Sequence, residues 1–182
     1  MSKHVFSHVL LLASWISVTT AGNCSAPERG SCAYYTECVE QTVPCGQDGY
    51  ALGYGNYFCE KFRTQADAFT PKGQTWFFDT MSCLQSALVS ADVSTLSCAA
   101  IRDTAFGSHA QCYYSPSMSS SICSLGLHDL LSVTRIVLEK RTLLARETYE
   151  QIVSVLEKCA GRLKDIGRLQ AYAATLEMMN QP

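Results

Sequence analysis

The chain has 182 residues, which is enough for one domain and too few for two well-packed cores. Hydrophobic residues make up 47% and charged residues 16%, so the composition excludes a charged, disordered tail. The formal net charge of −2 argues against nucleic acid as a partner, because phosphate binding requires a clustered basic face. Ten cysteines in so short a chain are typical of a secreted domain held together by disulfides.

The N-terminus is typical of a secretory signal peptide. Lys3 and His4 precede an apolar run over residues 5–16, and small residues at positions 19–22 end the segment. The run is shorter than the roughly 20 residues that a spanning helix needs, so a membrane anchor is the less favoured alternative. We predict a signal peptide at residues 1–22, a single domain at residues 23–182, secretion to the extracellular space and no membrane span.

All ten cysteines follow the predicted cleavage site, and their even number permits five disulfides without a free thiol. Residues 23–25 read Asn-Cys-Ser, which is an acceptor sequence for N-glycosylation with Asn23 as the acceptor. The alternative is that Asn23 stays unmodified because an early disulfide at Cys24 hinders the transferase.

The segment over residues 24–59 is rich in Cys, Gly and Tyr. Its pattern predicts a short helix over residues 32–41, a turn over residues 44–50 and a flexible point at residues 53–56. No stretch alternates long enough to predict a sheet.

From residue 58 onwards, apolar residues recur with a helical period. Phe58, Phe62, Ala66 and Phe69 form one stripe, and Pro71 and Gly73 are predicted to end that helix. A second helix is predicted over residues 74–88. Ser90 or Asp92 is expected to cap a third, which Gly107 breaks or thins before Tyr113.

Residues 115–121 are a loop by composition, and the helical period resumes after it. Ser124 is expected to cap a helix that runs through residue 140. We predict another helix over residues 142–159, and a final one with the stripe Ile166, Leu169, Ala173 and Leu176. Together these segments predict an all-α, disulfide-rich domain of five to seven helices.

Catalytic patterns are missing. Only His109 and His128 follow the signal peptide, and the chain lacks the His-Glu-x-x-His, Cys-x-x-Cys and Gly-x-Ser-x-Gly patterns. We therefore predict no catalytic, cofactor or metal site and expect that the protein is not an enzyme. A hydrolase using His109 with a serine and an aspartate is the competing hypothesis. We instead expect His109 on a helix surface, at a bend over residues 107–109.

The cysteine spacing points to a family. It reads Cys24-x7-Cys32-x5-Cys38-x6-Cys45-x13-Cys59-x23-Cys83-x14-Cys98-x13-Cys112-x10-Cys123-x35-Cys159. This order resembles that of the stanniocalcin family of secreted glycoprotein hormones. The segment Cys59-Glu60-Lys61-Phe62, followed by Ala68-Phe69 and Gly73, is similar to the family's Cys-Lys-Ser-Phe helix and the turn after it. The resemblance covers residues 24–159.

The resemblance implies a disulfide pairing. If the family's connectivity carries over by order, the bridges are Cys24–Cys38, Cys32–Cys59, Cys45–Cys98, Cys83–Cys112 and Cys123–Cys159. Vertebrate members of the family carry a further cysteine that links two chains, and none follows Cys159 here. We therefore expect a monomer, or a noncovalent homodimer through the C-terminal helix.

The resemblance also implies a function. It implies a secreted, hormone-like signalling factor that binds a receptor or an extracellular proteinase, with a role in calcium and phosphate balance or in proteinase inhibition. Tyrosines on a Gly-rich loop suit a protein interface, so Tyr50, Tyr54 and Tyr57 form a candidate contact loop. The alternative is that these three residues pack against a Cys32–Cys59 bridge.

A second function class remains open at this point. A helical domain with disulfides can enclose an apolar tunnel, and Trp76, Phe77, Phe78 and Phe106 are candidates to line one. The protein would then be a secreted carrier of a small ligand or lipid.

Overall fold

The structure is a computed structural model that describes residues 23–138 and 146–160. Within these residues the chain forms six helices and no β-strand, so the predicted all-α, disulfide-rich fold is confirmed. The predicted signal peptide at residues 1–22 and the predicted C-terminal stripe at residues 166–176 lie outside the described residues.

The first two helices each begin with π-helical geometry. Helix α1 covers residues 34–42, with a π-helical part at Tyr34–Val39 and an α-helical turn at Glu40–Thr42. Helix α2 covers residues 51–64, with a π-helical part at Ala51–Asn56 followed by Tyr57–Thr64. The predicted flexible point at residues 53–56 is therefore wrong.

Gly55 explains why this segment is helical although it is rich in glycine. A Cβ atom at Gly55 would lie 2.6 Å from Cε1 of Tyr35, so only glycine allows α2 to approach α1 this closely. Packing against the buried Tyr35 ring compensates for the low helix propensity of glycine.

Helix α3 is the long central helix, Pro71–Ser90. Thr70 caps it, because its hydroxyl accepts a hydrogen bond from the N–H of Gly73 at 3.2 Å. Pro71 and Gly73 thus lie in the first turn of α3 and do not end the preceding helix, which stops at Thr64. Proline is favoured at the first helical position because its missing N–H is not needed there.

Helix α4 covers Cys98–Tyr114, and the side chain of Ser97 caps it by accepting a hydrogen bond from the N–H of Ala100. The predicted caps Ser90 and Asp92 are wrong, because a short 3₁₀ turn at Val93–Thr95 separates the two long helices. Gly107 lies inside α4 and does not break it.

Two shorter helices complete the described fold. Helix α5 covers Leu127–Val137 and helix α6 covers Arg146–Ala160. Ser124 belongs to a 3₁₀ turn at Ile122–Ser124, and Gly126 takes the capping position that was expected for Ser124. Helix α4 packs against both α3 and α6, and α5 packs against α2.

Five disulfides connect these elements: Cys24–Cys38, Cys32–Cys59, Cys45–Cys98, Cys83–Cys112 and Cys123–Cys159. They are the same five pairs that the family resemblance implies, and they leave no free cysteine. The first four tie together the part of the chain up to Cys112, and the fifth joins the segment before α5 to the end of α6. None of the five links these two parts to each other.

Candidate functional site

His109 is buried inside the molecule. It is 1% exposed, and its Nε2 lies 3.0 Å from the hydroxyl of Tyr50, while its Nδ1 lies 3.0 Å from Oε1 of Gln151. The expectation that His109 lies on a helix surface is wrong. The residue occupies the side of α4 that faces α6 and the tyrosines of the first helices, so its ring links α2, α4 and α6.

Burial determines the protonation states of the cluster formed by His109, Tyr50 and Tyr113. Burial lowers the pKa of His109 to about 4, and the hydrogen bond with Gln151 only partly opposes that change. Burial also raises the pKa of Tyr50 and of Tyr113 well above the usual tyrosine range. The cluster is therefore uncharged at neutral pH.

These contacts do not assemble the hydrolase site considered from the sequence. The side chains bonded to His109 are Tyr50, Gln151 and Tyr113, not a serine and an aspartate. A general base also has to reach a substrate, and a ring that is 1% exposed is closed to one. The hydrogen bonds join His109 of α4 to Gln151 of α6 and to Tyr50, the residue directly before α2.

Of the four aromatic rings proposed to line a carrier tunnel, Trp76 and Phe77 border an interior space among the described residues, and Phe78 and Phe106 do not line it. Trp76 and Phe77 are core residues, whereas Phe78 lies under the guanidinium of Arg29 and Phe106 under that of Arg102. The interior space that Trp76 and Phe77 border has a volume of about 50 Å³. Pockets for small ligands usually have about 300 to 1,000 Å³, so this space is too small for a lipid.

The candidate contact loop is a helix. Tyr50 is 5% exposed and its ring packs edge-on against Phe106, and Tyr54 stacks on Tyr50 with ring centroids 5.7 Å apart. Tyr57 is partly buried and lies 5.5 Å from Nζ of Lys61. The prediction of an exposed tyrosine loop is therefore wrong, because the segment is helical and the rings of Tyr50 and Tyr54 pack against Phe106 of α4.

An open depression lies between the segment that leads into α1 and the helix α2. It has a volume of about 590 Å³, and the charged residues that line it are Glu28, Arg29, Glu60 and Arg63. Arg29 Nη2 lies 2.8 Å from Oδ1 of Asp79, and Arg63 Nη2 lies 2.6 Å from Oε2 of Glu60. Sequence reasoning missed this surface, because its two halves lie about thirty positions apart and meet at the Cys32–Cys59 disulfide.

Asn23, the candidate glycosylation site, is exposed at the start of the described chain. Its Oδ1 accepts hydrogen bonds from the N–H and the hydroxyl of Ser25, at 3.1 and 2.8 Å. Cys24 is bonded to Cys38, so Asn23 lies beside the first disulfide.

The described residues contain no group of three or more His, Cys, Asp or Glu side chains placed to hold a metal ion. Among the helices in those parts of the chain, none is long and apolar enough to cross a membrane.

Comparison with known proteins decides the family. The model of the stanniocalcin family matches residues 17–176, which include all ten cysteines. The chain belongs to the stanniocalcin family. Neither the curated proteins nor the solved structures include a match to it. The stanniocalcin family is a family of secreted hormones, so membership suggests a secreted, hormone-like factor with protein partners.

Proposed function

We propose that this stanniocalcin-family protein is a secreted signalling factor that acts by binding another extracellular protein and catalyses no reaction. The observation that carries the proposal is the family match over residues 17–176. Two observations support it. His109 is buried and therefore cannot reach a substrate, and the interior space is too small to hold one.

Secretion is the first part of the proposal. Cleavage after residue 22 would release a single domain at residues 23–182 into an oxidising compartment, where five disulfides form and persist. Asn23 would carry an N-linked glycan, and its exposure at the start of the domain supports that assignment. The chain would act as a monomer or as a noncovalent homodimer through its C-terminal helix.

The partner is an extracellular receptor or proteinase, and the physiological role is calcium and phosphate balance or proteinase inhibition. We place the contact at the open depression lined by Glu28, Arg29, Glu60 and Arg63. Its arginines are half exposed, and arginine is enriched in protein interfaces. Its charges are two acidic and two basic, so it suits a partner surface of mixed charge.

The experiment begins with the full chain expressed with its own N-terminus in a secreting animal cell line. N-terminal sequencing of the protein in the medium is expected to start at Asn23, and removal of N-glycans is expected to lower its mass. The purified protein is then tested for binding to immobilised receptor ectodomains and extracellular proteinases, with proteinase activity measured alongside.

A pair of charge-exchange variants locates the contact. Glu60→Lys with Arg63→Glu reverses the ion pair at the depression, and Arg102→Glu with Asp103→Lys makes the same exchange on the exposed surface of α4. We expect the first variant to weaken partner binding at least tenfold, which corresponds to about 1.4 kcal/mol of binding free energy. The second variant is expected to leave the affinity unchanged. Retention of the chain inside the cell would contradict secretion, and equal loss in both variants would contradict the assigned surface.

A further inference from the structure

The loop between α4 and α5 has an unusual composition. Residues 115–121 read Ser-Pro-Ser-Met-Ser-Ser-Ser, which is five serines, one proline and no charged residue. Segments rich in serine and proline are typical sites of O-linked glycosylation in secreted proteins. The composition alone does not say which of the five hydroxyls accepts a sugar.

Most of these serine side chains are hydrogen-bonded or buried. The Ser115 hydroxyl donates to the carbonyl of Ser117 at 3.2 Å, and the Ser117 hydroxyl donates to Oδ2 of Asp79 at 2.9 Å. The Ser121 hydroxyl donates to the carbonyl of Tyr114, and both Ser120 and Ser121 are buried. None of these four side chains can enter another enzyme's active site without breaking a contact or unfolding the loop.

Ser119 is the exception in the loop. It is exposed and follows the fully exposed Met118, at the tip of a turn that an antiparallel bridge between Ser117 and Ser120 closes. Among the described residues, none forms a hydrogen bond with its hydroxyl. The loop therefore holds its ends in place and presents one free hydroxyl to solvent.

We propose that Ser119 is the acceptor of a mucin-type O-linked N-acetylgalactosamine. This sugar is added to proteins that have already folded, so the exposed hydroxyl is selected and the engaged ones are not. The Ser119 oxygen would attack C1 of the sugar in UDP-N-acetylgalactosamine. The bond from C1 to the β-phosphate oxygen breaks, UDP leaves, and the hydroxyl proton is released to the medium. In the cell this step rests on the proposed secretion, because the transferases act in the secretory pathway.

Two arms test the assignment. In the first, the full chain is secreted by an animal cell line that makes O-glycans, N-glycans are removed enzymatically, and the intact mass is measured. In the second, folded chain from a host that does not glycosylate is incubated with a polypeptide N-acetylgalactosaminyltransferase and UDP-N-acetylgalactosamine. Electron-transfer fragmentation then locates the added mass in both samples.

We expect the mass of an N-acetylhexosamine on Ser119 in both arms. Ser119→Ala removes that mass completely, whereas the matched variant Ser117→Ala keeps it. An unmodified Ser119, sugar placed on Ser115 or Ser117, or a Ser119 mass that phosphatase removes would overturn the assignment. Retention of the chain in cells together with modification in the second arm would contradict the proposed secretion and support the acceptor assignment.

Discussion

The carboxylate of Asp129 accepts two hydrogen bonds from Thr70, one from its backbone N–H at 2.8 Å and one from its hydroxyl at 2.7 Å. Asp129 lies in the first turn of α5 and Thr70 is the residue that caps α3, so this contact fixes the position of α5 against the start of the central helix. A Cβ atom at Gly73 would lie 2.5 Å from Oδ1 of Asp129. The first turn of α3 therefore requires glycine at position 73 to make room for the carboxylate.

The substitution Asp129→Asn tests how much the contact between Asp129 and Thr70 contributes to the free energy of unfolding. The carboxamide places an NH₂ group opposite one of the two donors of Thr70, which leaves a buried polar group unsatisfied. We expect the free energy of unfolding to fall by about 1 to 3 kcal/mol, measured by guanidinium titration with disulfides intact. Asp103→Asn, on the exposed surface of α4, is the control and is expected to change stability by less than about 0.5 kcal/mol. Equal effects of the two substitutions would contradict the role given to Asp129.

The buried His109 predicts a loss of stability in acid. Its pKa is about 4 in the folded protein and 6.5 when unperturbed, so the unfolded chain takes up a proton first as the pH falls. The contribution of the neutral ring to the free energy of unfolding is therefore complete above pH 6.5, and it is lost as the pH falls towards 4. The loss amounts to about 3 kcal/mol.

The measurement compares the native protein with His109→Gln by guanidinium unfolding between pH 7 and pH 4. Glutamine cannot gain a proton, so the difference in free energy of unfolding between the two proteins is expected to shrink as the pH falls. Carboxylates titrate equally in both proteins and cancel from that difference. A difference that stays constant with pH would show that His109 is not held neutral.

Much of the fold could be predicted from the sequence, since periodic apolar residues and cysteine spacing are local signals. Some errors arise where distant residues decide the outcome. Gly53 and Gly55 indicate flexibility locally, yet the approach of the Tyr35 ring makes a helix of their segment. The error at Pro71 has a local cause instead. Proline is compatible with a helix end and with a helix start, and the cap at the adjacent Thr70 settles which one forms.

The same reasoning explains the errors at the candidate site. His109 is buried by Tyr50, 59 positions before it, and by Gln151, 42 positions after it, and no local pattern reports such contacts. The depression between the segment that leads into α1 and helix α2 could not be predicted from the sequence either. Its two halves meet because Cys32 and Cys59 are joined, and this pairing was available only through the family resemblance.

The glycines of α2 and α4 offer a matched pair of substitutions. Gly55→Ala places a methyl group against the Tyr35 ring, so we expect a loss of about 1 to 3 kcal/mol from overpacking. Gly107→Ala meets no atom within 4 Å and removes a flexible residue from the interior of α4. It is expected to stabilise the protein by roughly 0.5 to 1 kcal/mol. Thermal unfolding of both variants measures the two effects, and a stabilised Gly55→Ala would contradict the close packing of α1 on α2.

The disulfide pattern predicts that one cut separates the chain into two pieces. No disulfide joins the part up to Cys112 to the part from Cys123 onwards, so a protease recognition sequence inserted between Met118 and Ser119 divides the chain covalently. In native buffer we expect the pieces to remain associated. Ser132 donates a hydrogen bond to the carbonyl of Ala68 at 2.8 Å and Lys61 donates one to that of Ile136 at 3.3 Å, besides the contact of Asp129 with Thr70.

In guanidinium without a reducing agent, the cut protein is expected to separate into two fragments on gel filtration. The control is the same recognition sequence inserted between Gln47 and Asp48, in an exposed turn that the Cys32–Cys59 and Cys45–Cys98 bridges span. Fragments from that cut are expected to stay joined until a reducing agent is added. Joined fragments after the first cut, or separated fragments after the second, would mean that the cysteines pair differently. Separation of the first pair already in native buffer would mean that hydrogen bonds and packing do not hold α5 and α6 on the rest of the domain.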